Sequence, residues 1–83
     1  MRGLVLGGLV RSVKDVTIHP ESGESFQQLV AVLDTGEDYL SIVRCPRGSE
    51  NEFRANLDPL VGKEAAVLVG VGKYQNLWYR GLV

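Results

Sequence analysis

Five residues near the end of the chain, Lys73, Tyr74, Trp78, Tyr79 and Arg80, crowd flat aromatic faces and cationic heads into the stretch KYQNLWYRGLV. Two kinds of chemistry suit that mixture. The rings can pack a strand against a core, or they can stack on the bases of a nucleic-acid strand while Lys and Arg neutralise its phosphates. Period-two alternation puts Leu77, Tyr79 and Val83 on one face of a strand and Trp78 and Arg80 on the other. Arg80 is costly to bury, so its face is expected to point outward. A loop over Tyr74, Gln75 and Asn76 would pair Val71 with Tyr79 and Val67 with Val83, and would set Trp78 opposite Gly72 and Arg80 opposite Gly70. Three roles are then open to Trp78: a shield over the glycines, a platform for a base, or a contact with a second subunit.

Further aromatic and basic residues extend this set. Phe26 and Tyr39 share the outer face of two earlier strands if Leu29, Ala31, Leu33, Leu40 and Ile42 face inward. A register shifted by one near DTGED would instead bury Tyr39 and expose Arg44. Arg11 and Lys14 come late in the first strand, Arg44 and Arg47 close the third, and Lys73 and Tyr74 sit at a hairpin tip. The expected nucleic-acid-binding residues are therefore Arg11, Lys14, Phe26, Tyr39, Arg44, Arg47, Lys73, Tyr74, Trp78 and Arg80.

Catalytic groups do not assemble in the same way. His19, the lone histidine, lies beside Pro20 in a loop, and Cys45 is the lone cysteine, so neither an internal disulfide nor a paired metal-ligand motif is available. Gly3, Gly7 and Gly8 precede no helix and lack the Lys-Ser/Thr of a phosphate loop. The expectation is a binding protein rather than an enzyme, with no catalytic residue, no metal and no cofactor. Single-cysteine usage suits a reducing compartment. The chain shows no secretory signal and no apolar run long enough to span a membrane, which adds the expectation of a cytoplasmic protein, bacterial or from a phage-infected cell.

The net charge of −1 hides a segregation along the chain. Residues 21–38 hold Glu21, Glu24, Asp34, Glu37 and Asp38 with no cation. Outside that stretch and outside 49–64, the charges are Arg2, Arg11, Lys14, Arg44, Arg47, Lys73 and Arg80 against Asp15 alone. An anionic ligand feels such a local surface more than the total.

The elements that must position these residues are legible in outline. Residues 3–18, with Gly7-Gly8 inside an apolar run, read as a long first strand that bends at its glycines. HPESGES is a loop by composition, 26–34 (FQQLVAVLD) alternates as a second strand, and YLSIVRC reads as a third. Ser49 and Glu52 have the spacing of a capping box ahead of a short helix, ENEFRANL, in which Phe53 and Leu57 form one buried stripe before Pro59. EAAVLVGVG and LWYRGLV supply two last strands. At 83 residues this is one domain, 1–83, with a modest core.

The order β1-β2-β3-α-β4-β5, with a glycine-bent first strand and one helix between the third and fourth, resembles the oligonucleotide/oligosaccharide-binding (OB) fold, an all-β, five-stranded barrel with one short helix. GKEAAVLVGVGKYQNLWYRGLV is similar to the β4-β5 hairpin of single-stranded DNA-binding proteins. An SH3-like small barrel is the alternative architecture. The resemblance implies sequence-tolerant binding of single-stranded DNA, or of RNA, in replication or recombination. Val83 follows the last strand directly, with no acidic tail, which looks more like compact phage or plasmid members or the primosomal replication protein N group. A protein–protein assembly module is the reading from another class. Apolar residues on both faces of the first and fourth strands, Leu4, Val5, Leu6, Leu9, Ala66 and Leu68, exceed what one small barrel buries, so a homodimer or higher homo-oligomer is expected.

Overall fold

The computed structural model describes residues 2–83. Its elements follow the expected order: β1 (Arg2–Ile18), β2 (Phe26–Asp34), β3 (Ser41–Arg44), the helix α1 (Glu50–Leu57), β4 (Glu64–Val71) and β5 (Leu77–Leu82), with a 3-10 turn at Asp58–Leu60 behind the helix. The molecule is mostly β with one short helix. Hydrogen bonds join the strands in a ring, β1-β2-β3-β5-β4 and back to β1.

β1 makes this closure possible by serving two neighbours in turn. Its first half, Arg2 to Leu9, pairs with β4, and its second half, Leu9 to Ile18, pairs with β2. Following partners around the ring, Lys14 leads to Val30, Arg44, Trp78, Gly70 and then Gly3, so the path returns to β1 eleven positions upstream. Such a stagger is what tilts strands when a sheet closes. Only one of the two interior glycines is required at the changeover. A Cβ on Gly8 would stand 2.5 Å from the Asp34 carbonyl oxygen, whereas one on Gly7 would meet nothing within 4 Å. The bulge itself falls later, at Arg11, where the pairing skips from Val10 to Ser12.

The interior combines residues from every element. Val10, Leu29, Ala31, Leu33, Val43, Val67, Val69 and Tyr79 meet Phe53 and Leu57 of α1 in one buried cluster. Phe53 stands edge-on to Tyr79 with ring centroids 5.1 Å apart, and Asn56 Nδ2 donates to the Tyr79 hydroxyl at 2.9 Å. The tyrosine is thereby an anchor between helix and sheet, its polar tip satisfied. Ser49 makes no side-chain cap, contrary to the capping-box expectation. Glu50 does related work instead, its carboxylate accepting the Gly48 N–H at 3.0 Å.

Three register expectations change. β3 begins at Ser41, so Tyr39 and Leu40 lie outside it, and Val43 rather than Ile42 is buried. Val43 pairs with Ala31, and since Ala31 faces the core, Val43 must as well. The β4-β5 hairpin turns over Lys73, Tyr74 and Gln75, closed by Gly72 N–H to the Asn76 carbonyl at 2.9 Å, with Gln75 at φ 63°. Val71 therefore pairs with Leu77 and Val69 with Tyr79. Val67 then meets Leu82 across a bulge at Arg80, and Val83 is 75% exposed rather than part of the core.

Candidate functional site

The outer face of the sheet carries a row that crosses four strands: Lys14 on β1, Val30 on β2, Arg44 on β3 and Trp78 on β5. Lys14 and Arg44 flank Val30 and so lie two strand spacings, about 10 Å, apart. Val30 is buried despite facing outward. Its ladder neighbours are Lys14 and Arg44, residue types whose stems cover apolar surface while their heads stay in water. Lys14, Arg44 and Arg47 form no ion pair among the described residues.

Trp78 is half-buried and lies against Gly72, where an added Cβ would come within 2.6 Å of the indole Nε1. In register it stands opposite Gly70. One side of the ring therefore shields glycine backbone, as a cross-strand cover would. β3 and β5 run parallel, which puts Trp78, and not Arg80, beside Arg44.

A cavity of about 470 Å³ adjoins the row, lined by Phe26, Gln28, Arg47, Glu50, Asp15 and Trp78 among others. The start of β2, the end of β3 and the start of β5 converge there because β2 is antiparallel to β3 and the parallel register sets the last residues of β3, Val43 and Arg44, beside the first of β5, Leu77 and Trp78. Phe26 is 47% exposed. At the neighbouring hairpin tip, Tyr74 is 78% exposed and the Lys73 ammonium sits 5.5 Å from its ring centroid.

The chain matches no family model, no curated protein and no solved structure. Its functional reading rests on the arrangement of its own side chains.

Seven of the ten expected residues fall on this part of the molecule: Lys14, Phe26, Arg44, Arg47, Lys73, Tyr74 and Trp78. Three do not. Tyr39, expected beside Phe26 on the outer sheet, stands 71% exposed in the loop joining the opposite ends of β2 and β3. Arg80 is the extra residue of the β5 bulge, beyond Trp78 and away from Arg44. Arg11 is occupied by an ion pair, its Nη2 donating to Asp34 Oδ2 at 2.8 Å. That contact, together with the Gly36 N–H donating to Asp34 Oδ1 at 3.0 Å, holds the Asp34 carboxyl below the usual range. Cys45 forms part of the cavity wall yet is buried, and its desolvation, with Glu50 nearby, pushes the thiol up to about 11.

Gln28, like Asp15 and Glu50, is a lining residue that sequence reasoning passed over. Nothing in FQQLVAVLD separates it from Gln27, which donates to Thr17 Oγ1 at 2.9 Å on the exposed surface. Its only sequence signal is its phase: it shares a face with Phe26 and Val30.

Proposed function

We propose that the protein binds single-stranded DNA with tolerance for sequence, using an OB-type barrel whose outer β1-β2-β3-β5 face is the platform. The observation that carries this reading is the unbroken row of Lys14, Val30, Arg44 and Trp78, with Phe26 and Arg47 around the adjoining cavity. Two aromatic surfaces beside unpaired cations match the needs of a flexible polyanion: bases stack on rings and phosphates meet Lys and Arg. A double helix would hide its base faces from such a surface.

Trp78 is the only tryptophan, so its fluorescence reports on the site directly. Titration with oligo(dT) should quench it and added salt should reverse the quench. Trp78→Ala should weaken binding by the worth of one stacked base, about 1–3 kcal/mol. An unchanged spectrum together with no gel shift removes the proposal. Matched DNA and RNA oligonucleotides in competition then identify the sugar, because stacking platforms do not select it.

A second surface supports self-association. Val5 on β1 pairs with Leu68 on β4, and both are exposed, as are Leu82 and Val83 nearby. A symmetric contact there would leave the cationic row free. Light scattering at tens of micromolar distinguishes the dimer from a monomer.

A further inference from the structure

The cavity beside Trp78 contains a polar group that stacking and charge neutralisation do not use. Gln28 Nε2 donates to the Cys45 carbonyl at 2.9 Å and to the Leu29 carbonyl at 3.3 Å. Only the nitrogen end of a carboxamide donates, so these two carbonyls fix which way the amide faces. Its oxygen, Oε1, receives no donor among the described residues. Since no buried side-chain oxygen among the described residues lacks a partner, the unpartnered Oε1 is not fully buried.

The rest of the lining has the same polarity. Asp15 receives Arg54 at 3.0 Å and Glu50 receives the Gly48 N–H at 3.0 Å, and each carboxylate keeps further acceptor capacity. Two carboxylates, one of them already paired with Arg54, and the Gln28 amide therefore line the cavity with one cation unpaired among the described residues, Arg47. A phosphate, which offers only acceptors, finds a single charged donor there, Arg47. A group rich in N–H donors is favoured. The volume of about 470 Å³ is in the range of ordinary small-molecule sites and is large enough for a single nucleobase, and both Phe26 and Trp78 line it.

We infer that this cavity seats one base of the bound strand and that Gln28 Oε1 makes it prefer bases with an exocyclic amino group, cytosine, adenine and guanine, over thymine. The inference rests on the single-strand reading of the same face. Cytosine and adenine each present an amino group at the edge of the ring, with two N–H donors. Thymine presents one N–H, set between two carbonyl oxygens that both repel an acceptor. The backbone-held amide cannot turn over to accommodate thymine without taking its donor from the Cys45 carbonyl, while the Leu29 carbonyl keeps the Cys45 N–H at 2.9 Å.

Fluorescence anisotropy of labelled oligo(dC) and oligo(dT) at slightly alkaline pH tests this without relying on Trp78. The wild-type protein should bind oligo(dC) about twofold to tenfold more tightly, the worth of one net hydrogen bond. In Gln28→Met the ratio should fall to near one, chiefly through lost oligo(dC) affinity. Thermal unfolding of the variant verifies its fold, and the wild-type ratio is a measurement that needs no variant. Binding of both oligonucleotides without preference, or a preference that survives Gln28→Met, overturns the inference and leaves single-strand binding standing. Failure to bind either oligonucleotide overturns both.

Discussion

Alanine at Gly8 should cost the fold far more than alanine one residue earlier, at Gly7. At Gly8 the new Cβ would lie 2.5 Å from the carbonyl oxygen and 2.9 Å from the carbonyl carbon of Asp34. Ordinary contact needs roughly 1 Å more, so β1 and the end of β2 must part by about that distance. The obstacle cannot rotate away. Asp34 is paired with Leu9, and its carboxylate is held by Arg11 and by the Gly36 N–H. Overpacking against a fixed neighbour costs about 1–3 kcal/mol, and a backbone obstacle places Gly8→Ala near 3 kcal/mol. Gly7→Ala meets nothing within 4 Å and should instead gain about 0.4–1 kcal/mol by restricting the unfolded chain. For a domain of this size each kcal/mol moves Tm by about 4–8 °C, so the two variants should melt more than about 12 °C apart. Thermal unfolding followed by circular dichroism measures both. Midpoints that agree within error, or a Gly7 variant that is the weaker, would refute the account of how β1 passes from β4 to β2.

Two other outcomes follow from the site. Lys14→Ala and Arg44→Ala should each flatten the dependence of log affinity for single-stranded DNA on log salt by about 0.7, the loss of one phosphate contact, whereas Arg11→Ala should leave the slope unchanged because Asp34 already occupies that guanidinium; a flatter slope for Arg11→Ala would return it to the site. Cys45 should resist a thiol reagent such as DTNB at neutral pH until urea unfolds the chain, because burial raises its pKa from 9.0 to about 11. The stability tied to the buried thiol is complete below about pH 9 and is lost as the pH rises towards 11, so the urea midpoint should fall over that interval, and less so in Cys45→Ala.

Element order was legible because it depends on punctuation: Pro20 and Gly23 end the first strand, Pro46 and Gly48 the third, and Pro59 the helix. Orientation was harder to read wherever both faces of a strand are apolar. In β2 the core-facing Leu29, Ala31 and Leu33 alternate with Val30 and Val32, all of them buried, so hydrophobicity alone cannot choose a side. In β3 the choice between Ile42 and Val43 was made by Ala31 across the ladder, a long-range fact absent from YLSIVRC. The bulge at Arg11 leaves no local signature, since Gly7 and Gly8 stand elsewhere, whereas the one at Arg80 is marked by Gly81, at φ 151°, a glycine that the reading of LWYRGLV as a plain strand left unused. The site shares this division. Chemistry-bearing residue types were visible, and Trp78, Arg44 and Lys14 came together because they sit well inside paired strands. Tyr39 and Arg80 were misplaced because each lies beside an irregularity.

The contact between β3 and β5 is the shortest in the ring, two residue pairs in parallel alignment, Val43 with Leu77 and Arg44 with Trp78. Every other seam has at least four pairs. Opening of the native ring should begin there, since local stability follows the hydrogen bonds and contacts that must be broken. One of its two pairs is also the cationic and aromatic centre of the proposed platform. A nucleic-acid strand laid across Arg44 and Trp78 would then act as a clasp on the weakest joint, and its grip would register as slower hydrogen exchange at Val43 and Leu77 as well as in affinity.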